Sequence, residues 1–310
     1  MLKHTSLYII ITCILFTQNA NAQEYAPAQL NYQHQELFIN PAYTGSHGVF
    51  SGAVSVQMQM VGFDKAPNTQ RLQLHSPLVN NTMGLGLSFQ HEMYGVTRNF
   101  ALSAHYAYKI KMDKGILSLG LQMGFTTMQE RYAELETPIP DPLFAENTQP
   151  LWGFSSGVGA YYYDSLFYIG LSIPQLIDNS LITAERKLAN KLNFEKTPIY
   201  LTGGYVFTLS RDFKLKPAAL FSYSSYRGFG YNVNLTSYYK NKCWLGAIAR
   251  YNKQAGGFVG VNIENYVNIG YMFTVNYGSA FSKVSQSAIH EISIAVMLSP
   301  KNETNKFKCF

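Results

Sequence analysis

The chain has 310 residues and a formal charge of +6, with 14% charged residues and 23 Tyr and 20 Phe beside 24 Gly. That mixture of aromatic and small residues is unlike the charged surface of a water-soluble domain. The basic bias forms no run or stripe, so it gives no ground for a nucleic-acid partner.

At the amino terminus stand Lys3 and His4, the apolar run Leu7 to Phe16, and then Ala20-Asn21-Ala22. These are the charged, apolar and small-residue cleavage parts of a secretory signal peptide. Residues 1–22 are therefore expected to be removed, leaving a mature chain from Gln23 whose charge is +5 once Lys3 is subtracted from the +6. Export argues against a soluble cytoplasmic enzyme. Residues 23–47 are polar and end in the turn-rich Asn40-Pro41-Ala42-Tyr43-Thr44-Gly45-Ser46, which reads as a periplasmic lead-in without strand character.

From there the sequence alternates with a period of two. Val54, Val56, Met58 and Met60 alternate with Ser55, Gln57 and Gln59, and Leu72 and Leu74 with Arg71, Gln73 and His75. Met83 to Gln90 and Asn99 to Tyr106 give the third and fourth strands. The fifth sets Leu117, Leu119, Leu121, Met123 and Phe125 against Ser118, Gly120, Gln122, Gly124 and Thr126. Trp152 to Tyr162 and Phe167 to Ile173 form a hairpin about Asp164-Ser165. Leu201 to Phe207 mark an eighth strand, and Phe213 to Tyr223 a ninth in which Pro217 is expected at a strand end or bulge. Phe229 to Thr236, Cys243 to Tyr251, Gly256 to Ile263, Val267 to Asn276 and Ile289 to Leu298 complete the set. Of the mature cysteines, Cys243 falls in a strand pattern and Cys309 in a charged tail, so they are not expected to pair.

No run after the signal peptide approaches the roughly 18 apolar residues of a membrane helix, so a bilayer location requires a closed barrel. Links after even-numbered strands are short, as at Asp164-Ser165 and Lys240-Asn241-Lys242. Those after several odd-numbered strands are long, as at Gln129 to Leu151, Pro174 to Thr197 and Tyr277 to Ala288. Short turns on one rim and long loops on the other mark an outer-membrane barrel with periplasmic termini. The expected architecture is all-β: a transmembrane antiparallel up-and-down β-barrel of about fourteen strands over residues 48–298, followed by a tail over 299–310.

The residues also resemble the PorP/SprF family of outer-membrane proteins associated with type IX secretion and gliding motility. The likeness is carried by Asn40 to Ser46, by Val61-Gly62-Phe63-Asp64-Lys65-Ala66-Pro67 with Thr69, and by Gly84-Leu85-Gly86-Leu87. Further pieces are Tyr106-Ala107-Tyr108 before Leu117 to Leu121, and the late His290-Glu291. The chain departs from the family at Gln57 and Met60, where Arg and Trp are common, and at Lys65, where Gly is common. The resemblance implies a non-enzymatic barrel that helps to secrete or anchor a partner at the cell surface. That partner would be a secreted surface protein or subunits of the type IX system.

No catalytic, cofactor or metal set is expected. His34, His47, His75, His91, His105 and His290 show no nucleophile elbow, metal-binding helix spacing or paired Cys. His75 and His105 are expected to be hydrogen-bonded fillers of a barrel interior. Candidate partner-binding residues are Asn40, Pro41, Tyr43 and Gly45 in the lead-in, and Gly62, Asp64, Lys65 and Pro67 in the first outer loop. Arg131 and Asp141 in a Pro-rich acidic loop complete them, with His290 and Glu291 on the last strand. A loop of that length is usually functional or disordered. A general porin is the alternative function; it would want an open polar lumen with charged rings.

Overall fold

A computed structural model describes residues 35–78, 81–135, 146–182, 187–251, 253–264, 266–277 and 288–298. The expected signal peptide, the tail over 299–310 and Asp141 lie outside these residues. In chain order the strands are β1 (Phe50–Gln59), β2 (Asn68–Pro77), β3 (Met83–Tyr94), β4 (Thr97–Lys111) and β5 (Ile116–Glu130). They continue with β6 (Leu151–Tyr163), β7 (Phe167–Ile173), β8 (Ile199–Tyr205, resuming at Phe207–Thr208), β9 (Phe213–Ser224) and β10 (Gly228–Tyr239). The last four are β11 (Cys243–Arg250), β12 (Gln254–Ile263), β13 (Val267–Asn276) and β14 (Ile289–Leu298). Each pairs antiparallel with its sequence neighbours. β1 pairs with β14 from Phe50 opposite Leu298 to Gln59 opposite Ile289, which seals the cylinder.

The alternating segments read from the sequence are these fourteen strands. Pro217 is the point of difference. β9 runs straight through it, and the interruption falls on the neighbour: β8 breaks at Val206, between the pairs Gly204–Ala218 and Phe207–Leu215. A proline in β9 has no N–H to give to the ladder, so the partner loses the rung while β9 keeps its pairing with β10.

Which face is wet is decided by exposure. Leu87, Leu119 and Leu235 on the outer face are 51%, 46% and 46% exposed, whereas Ser88, Ser118 and Thr236 on the inner face are 5%, 0% and 1% exposed. Apolar out and polar in is stable only where hydrocarbon surrounds the barrel. The aliphatic belt is bounded by aromatics on both rims. Phe89, Phe100, Phe125 and Trp152 follow one another across β3 to β6 with ring centroids 4.9, 6.1 and 5.4 Å apart on the long-loop side. Tyr162 with Phe167 (5.6 Å) and Phe213 with Tyr239 (4.9 Å) stand on the short-turn side. These are the interfacial girdles of a membrane barrel, where amphipathic rings sit at headgroup level.

Inside, aromatic rings lie over wall glycines. A Cβ on Gly246 would overlap the Phe258 ring, and one on Gly260 or Gly270 the Trp244 indole. The opposite wall is filled differently, by the chain that precedes β1.

Candidate partner-binding site

Residues Gln35 to Gly48 do not lie outside the barrel as a lead-in; they pack within it. Leu37, Ala42 and Thr44 are wholly buried, and Ile39, Asn40 and Tyr43 nearly so. Two short 3-10 turns, Glu36–Phe38 and Pro41–Tyr43, give the segment its shape. Asn40 begins the second. Its Oδ1 accepts from the Ala42 N–H (2.9 Å), Pro41 supplies a pre-set φ at the first helical position, and the Thr44 hydroxyl closes the turn on the Pro41 carbonyl (2.7 Å). This is local chemistry written in Asn-Pro-Ala-Tyr-Thr.

The wall is cut to receive it. Gly84, Gly120 and Gly159 are inward positions of β3, β5 and β6. A Cβ there would overlap the Thr44 carbonyl, the Ala42 backbone nitrogen and the Asn40 carboxamide respectively. Polar groups fasten the segment to strands on one side of the barrel, from β14 round to β7. Asn40 Nδ2 donates to the Ala160 carbonyl (3.0 Å), and the Ser172 hydroxyl to the Ile39 carbonyl (2.7 Å). The Gly45 N–H donates to His75 Nδ1 (3.0 Å), and Lys109 Nζ bonds both the Gly45 carbonyl and Asn81 Oδ1. Tyr43 and His47 share a hydrogen bond of 2.7 Å, and His47 meets Ser51 at 2.8 Å. At the inner end Gln35 Nε2 donates to Ser55 Oγ (2.9 Å) and Glu291 Oε1 (2.7 Å).

The structure thus brings Asn40, Pro41, Tyr43 and Gly45 into the lumen, with Glu291 at the far end of the same segment. His290 is separated from Glu291 by the strand itself: its ring faces outward and shares a 2.8 Å hydrogen bond with the Tyr271 hydroxyl. His75 holds the lumen segment, and His105 meets the Ser88 hydroxyl at 2.7 Å.

Gly62, Asp64, Lys65 and Pro67 are elsewhere, in the outer loop between β1 and β2. Lys65 has φ +53, left-handed backbone that favours glycine, so its side chain is carried at a strained position. Its carbonyl accepts from the Gly95 N–H (2.9 Å), and its ammonium donates to the Glu134 carbonyl. Arg98 and Arg131 both pair with the Glu134 carboxylate at 3.1 Å. Lys65 and Arg131 therefore meet at one residue, Glu134, where three outer loops are knitted together.

The described parts of the long loop after β7, residues 174–182 and 187–198, fold back on β6. Asp178 anchors it by accepting from the Ser180 N–H (2.8 Å) and Asn193 Nδ2 (3.1 Å), with Lys196 Nζ 3.8 Å away. Burial would raise the Asp178 carboxyl, but these donors, the Ser180 hydroxyl and the cation outweigh it and hold it below its ordinary 3.8. The role of Glu134 escapes sequence reading, because it depends on groups distant in the chain. His75 and Lys109 had one usable signal: inward register on adjacent sides of a small-residue wall. Among the described residues no His, Cys, Asp or Glu group is arranged to hold a metal.

The profile of the family described as type IX secretion system membrane protein PorP/SprF matches residues 21–296. No curated protein matches the sequence at a significant level. Among solved structures the chain is similar to the CymD monoaromatic hydrocarbon channel, at TM-score 0.52 and 12% identity over 86% of this chain and 93% of that one. It is also similar to the Acinetobacter baumannii outer membrane protein Omp33 (0.49, 8%, covering 81% and 98%) and to a Pseudomonas aeruginosa FadL homologue (0.49, 11%, covering 86% and 94%). At such identities the likeness is one of fold.

Proposed function

The chain belongs to the type IX secretion system membrane protein family PorP/SprF and is a β-barrel of the outer membrane, and on that premise we propose that it is a non-enzymatic scaffold for a partner protein. The partner is an exported surface protein, or subunits of the secretion system, received on the long-loop face.

One observation carries this reading against a general porin. A diffusion pore needs an open polar lumen. Here Ala42 is pressed against Gly120 and the segment around it is fastened to β2, β4, β6, β7 and β14. A lumen occupied by the chain's own backbone suits a scaffold better than a conduit. Lys65 and Arg131, joined through Glu134, and the loop 174–198 offer the receiving surface.

Affinity purification from outer membranes, with identification of what co-purifies, tests the proposal, and planar-bilayer recording of the purified barrel accompanies it. A surface protein or secretion subunit is expected in the eluate and no steady conductance in the bilayer. Recovery of the barrel alone, together with open conducting channels, would establish the porin instead.

A further inference from the structure

β7 is much shorter than the strand it accompanies. It ends at Ile173, opposite Val158, while β6 continues to Leu151. On its other side β6 stays laddered to β5 up to Leu151 opposite Met128. Its β7-facing edge therefore outruns its strand partner. The loop 174–198 covers that edge largely with side chains. Asn190 accepts from the Phe154 N–H (2.7 Å) and donates to the Trp152 carbonyl (3.0 Å), and Asn179 donates to the Phe154 carbonyl (2.9 Å). One backbone bond, from the Leu176 N–H to the Ser156 carbonyl (2.8 Å), joins the loop lower down.

The position of this seam matters. Trp152 is the end of the aromatic row at headgroup level on the long-loop side, and from it the edge runs through Phe154 toward Ser156, down into the outer leaflet. Backbone groups at that depth need partners, since lipid supplies none. Two carboxamides imitate a strand here. Asn190 does so at φ +46, a left-handed conformation that Asn adopts more readily than other side-chain-bearing residues, so the cover is a turn residue standing in for a strand.

We propose that the β6 edge from Trp152 to Ser156 is a docking site for an extended segment of the exported partner, which adds as a strand when Asn179 and Asn190 let go. This rests on the scaffold reading above. The chemistry favours a polypeptide: the edge offers carbonyls and an N–H at strand spacing, and an extended peptide returns both kinds of partner. An acyl chain entering the seam would return neither and would orphan the Phe154 N–H in hydrocarbon.

Two substitutions separate backbone from side chain. Phe154→Pro removes the edge N–H, which faces away from β5, so the β5 ladder is kept and a proline sits where strand edges accept one. Phe154→Ala keeps the N–H and removes the ring. The readout is the surface protein recovered with the full-length barrel from outer membranes. With Asn179 and Asn190 both replaced by Ala, so that nothing competes for the Phe154 N–H, recovery is expected to fall about tenfold for Phe154→Pro, as for one hydrogen bond left unmade, and to stay near the level of that background for Phe154→Ala. Independently, a benzophenone amino acid replacing Trp152 is expected to crosslink to that surface protein on illumination. Equal recovery with Phe154→Pro, or crosslinks to lipid alone, overturns the seam while the scaffold reading stands. Recovery of secretion subunits without any surface protein overturns the seam while the scaffold reading stands, and recovery of neither by the unaltered barrel overturns the scaffold reading itself.

Discussion

The backbone nitrogen of Ala42 occupies the place where a side chain on Gly120 would begin. Gly120 is thus less a strand residue than the floor of a socket, and Gly84 and Gly159 extend that floor beneath Thr44 and Asn40. Gly120→Val is expected to expel the lumen segment without opening the sheet, because β5 keeps both of its ladders. Forcing methyl groups into a filled space costs typically 1–3 kcal/mol. Limited proteolysis should then cut near residues 35–48, and the purified barrel should begin to conduct. An unchanged digestion pattern would show that the socket yields instead.

Asn40 serves two masters, capping the turn at Ala42 and bonding the wall at Ala160. Asn40→Ala is expected to weaken docking of the segment by about 1–2 kcal/mol. Hydrogen exchange should report this as faster exchange at Ala42, Tyr43 and Thr44, with the strand amides of β5 and β6 unaffected. Equal protection in the two proteins would mean that the glycine floor alone holds the segment.

The lipid belt makes a separate prediction. Leu121 faces outward, 55% exposed, between the two aromatic girdles. Leu121→Arg is expected to destabilise the barrel by roughly 2–4 kcal/mol in bilayers, the known penalty for arginine at mid-depth. Urea unfolding in lipid vesicles measures it. A change below about 0.5 kcal/mol, as at an ordinary watery surface, would remove Leu121 from the membrane.

Acid should loosen the loop 174–198. The Asp178 carboxyl is held below its ordinary 3.8 by its donors and Lys196. A depressed carboxyl contributes stability above the unfolded value and loses it as pH falls through the folded one. The loop is therefore expected to keep its protection at neutral pH and to lose it below about pH 4. Amide exchange at Ser180 follows this, and Asp178→Asn should flatten the profile. Parallel profiles for the two proteins would assign the acid response to another group.

The fold was legible because a period of two leaves little freedom. Once Leu119 and Leu121 face lipid, Ser118, Gly120 and Gln122 must face inward, and the strand length and loop parity follow from bilayer thickness. The hairpin at Asp164 was equally local, for its carboxylate accepts from the N–H groups of Leu166 and Phe167. The site was harder to see. Asn40 to Ser46 reads as turns, and turns they are, but nothing local says that turns lie inside a barrel. That depends on Gly84, Gly120 and Gly159, scattered over three strands and indistinguishable from other small lumen residues until the register is known. His290-Glu291 reads as a pair, yet in a strand consecutive side chains part to opposite faces, sending one toward Tyr271 and the other toward Gln35. Pro217 misled in the same way, because its missing donor is felt in β8.

A practical corollary concerns shortened versions of the protein. A version beginning at Phe50 would retain every strand and could pass any test of β content, yet its row of bare glycines would face nothing but water. Such a furrow is absent from the intact molecule, and affinity tags placed just before it would be insertions into the interior rather than appendages to a tail.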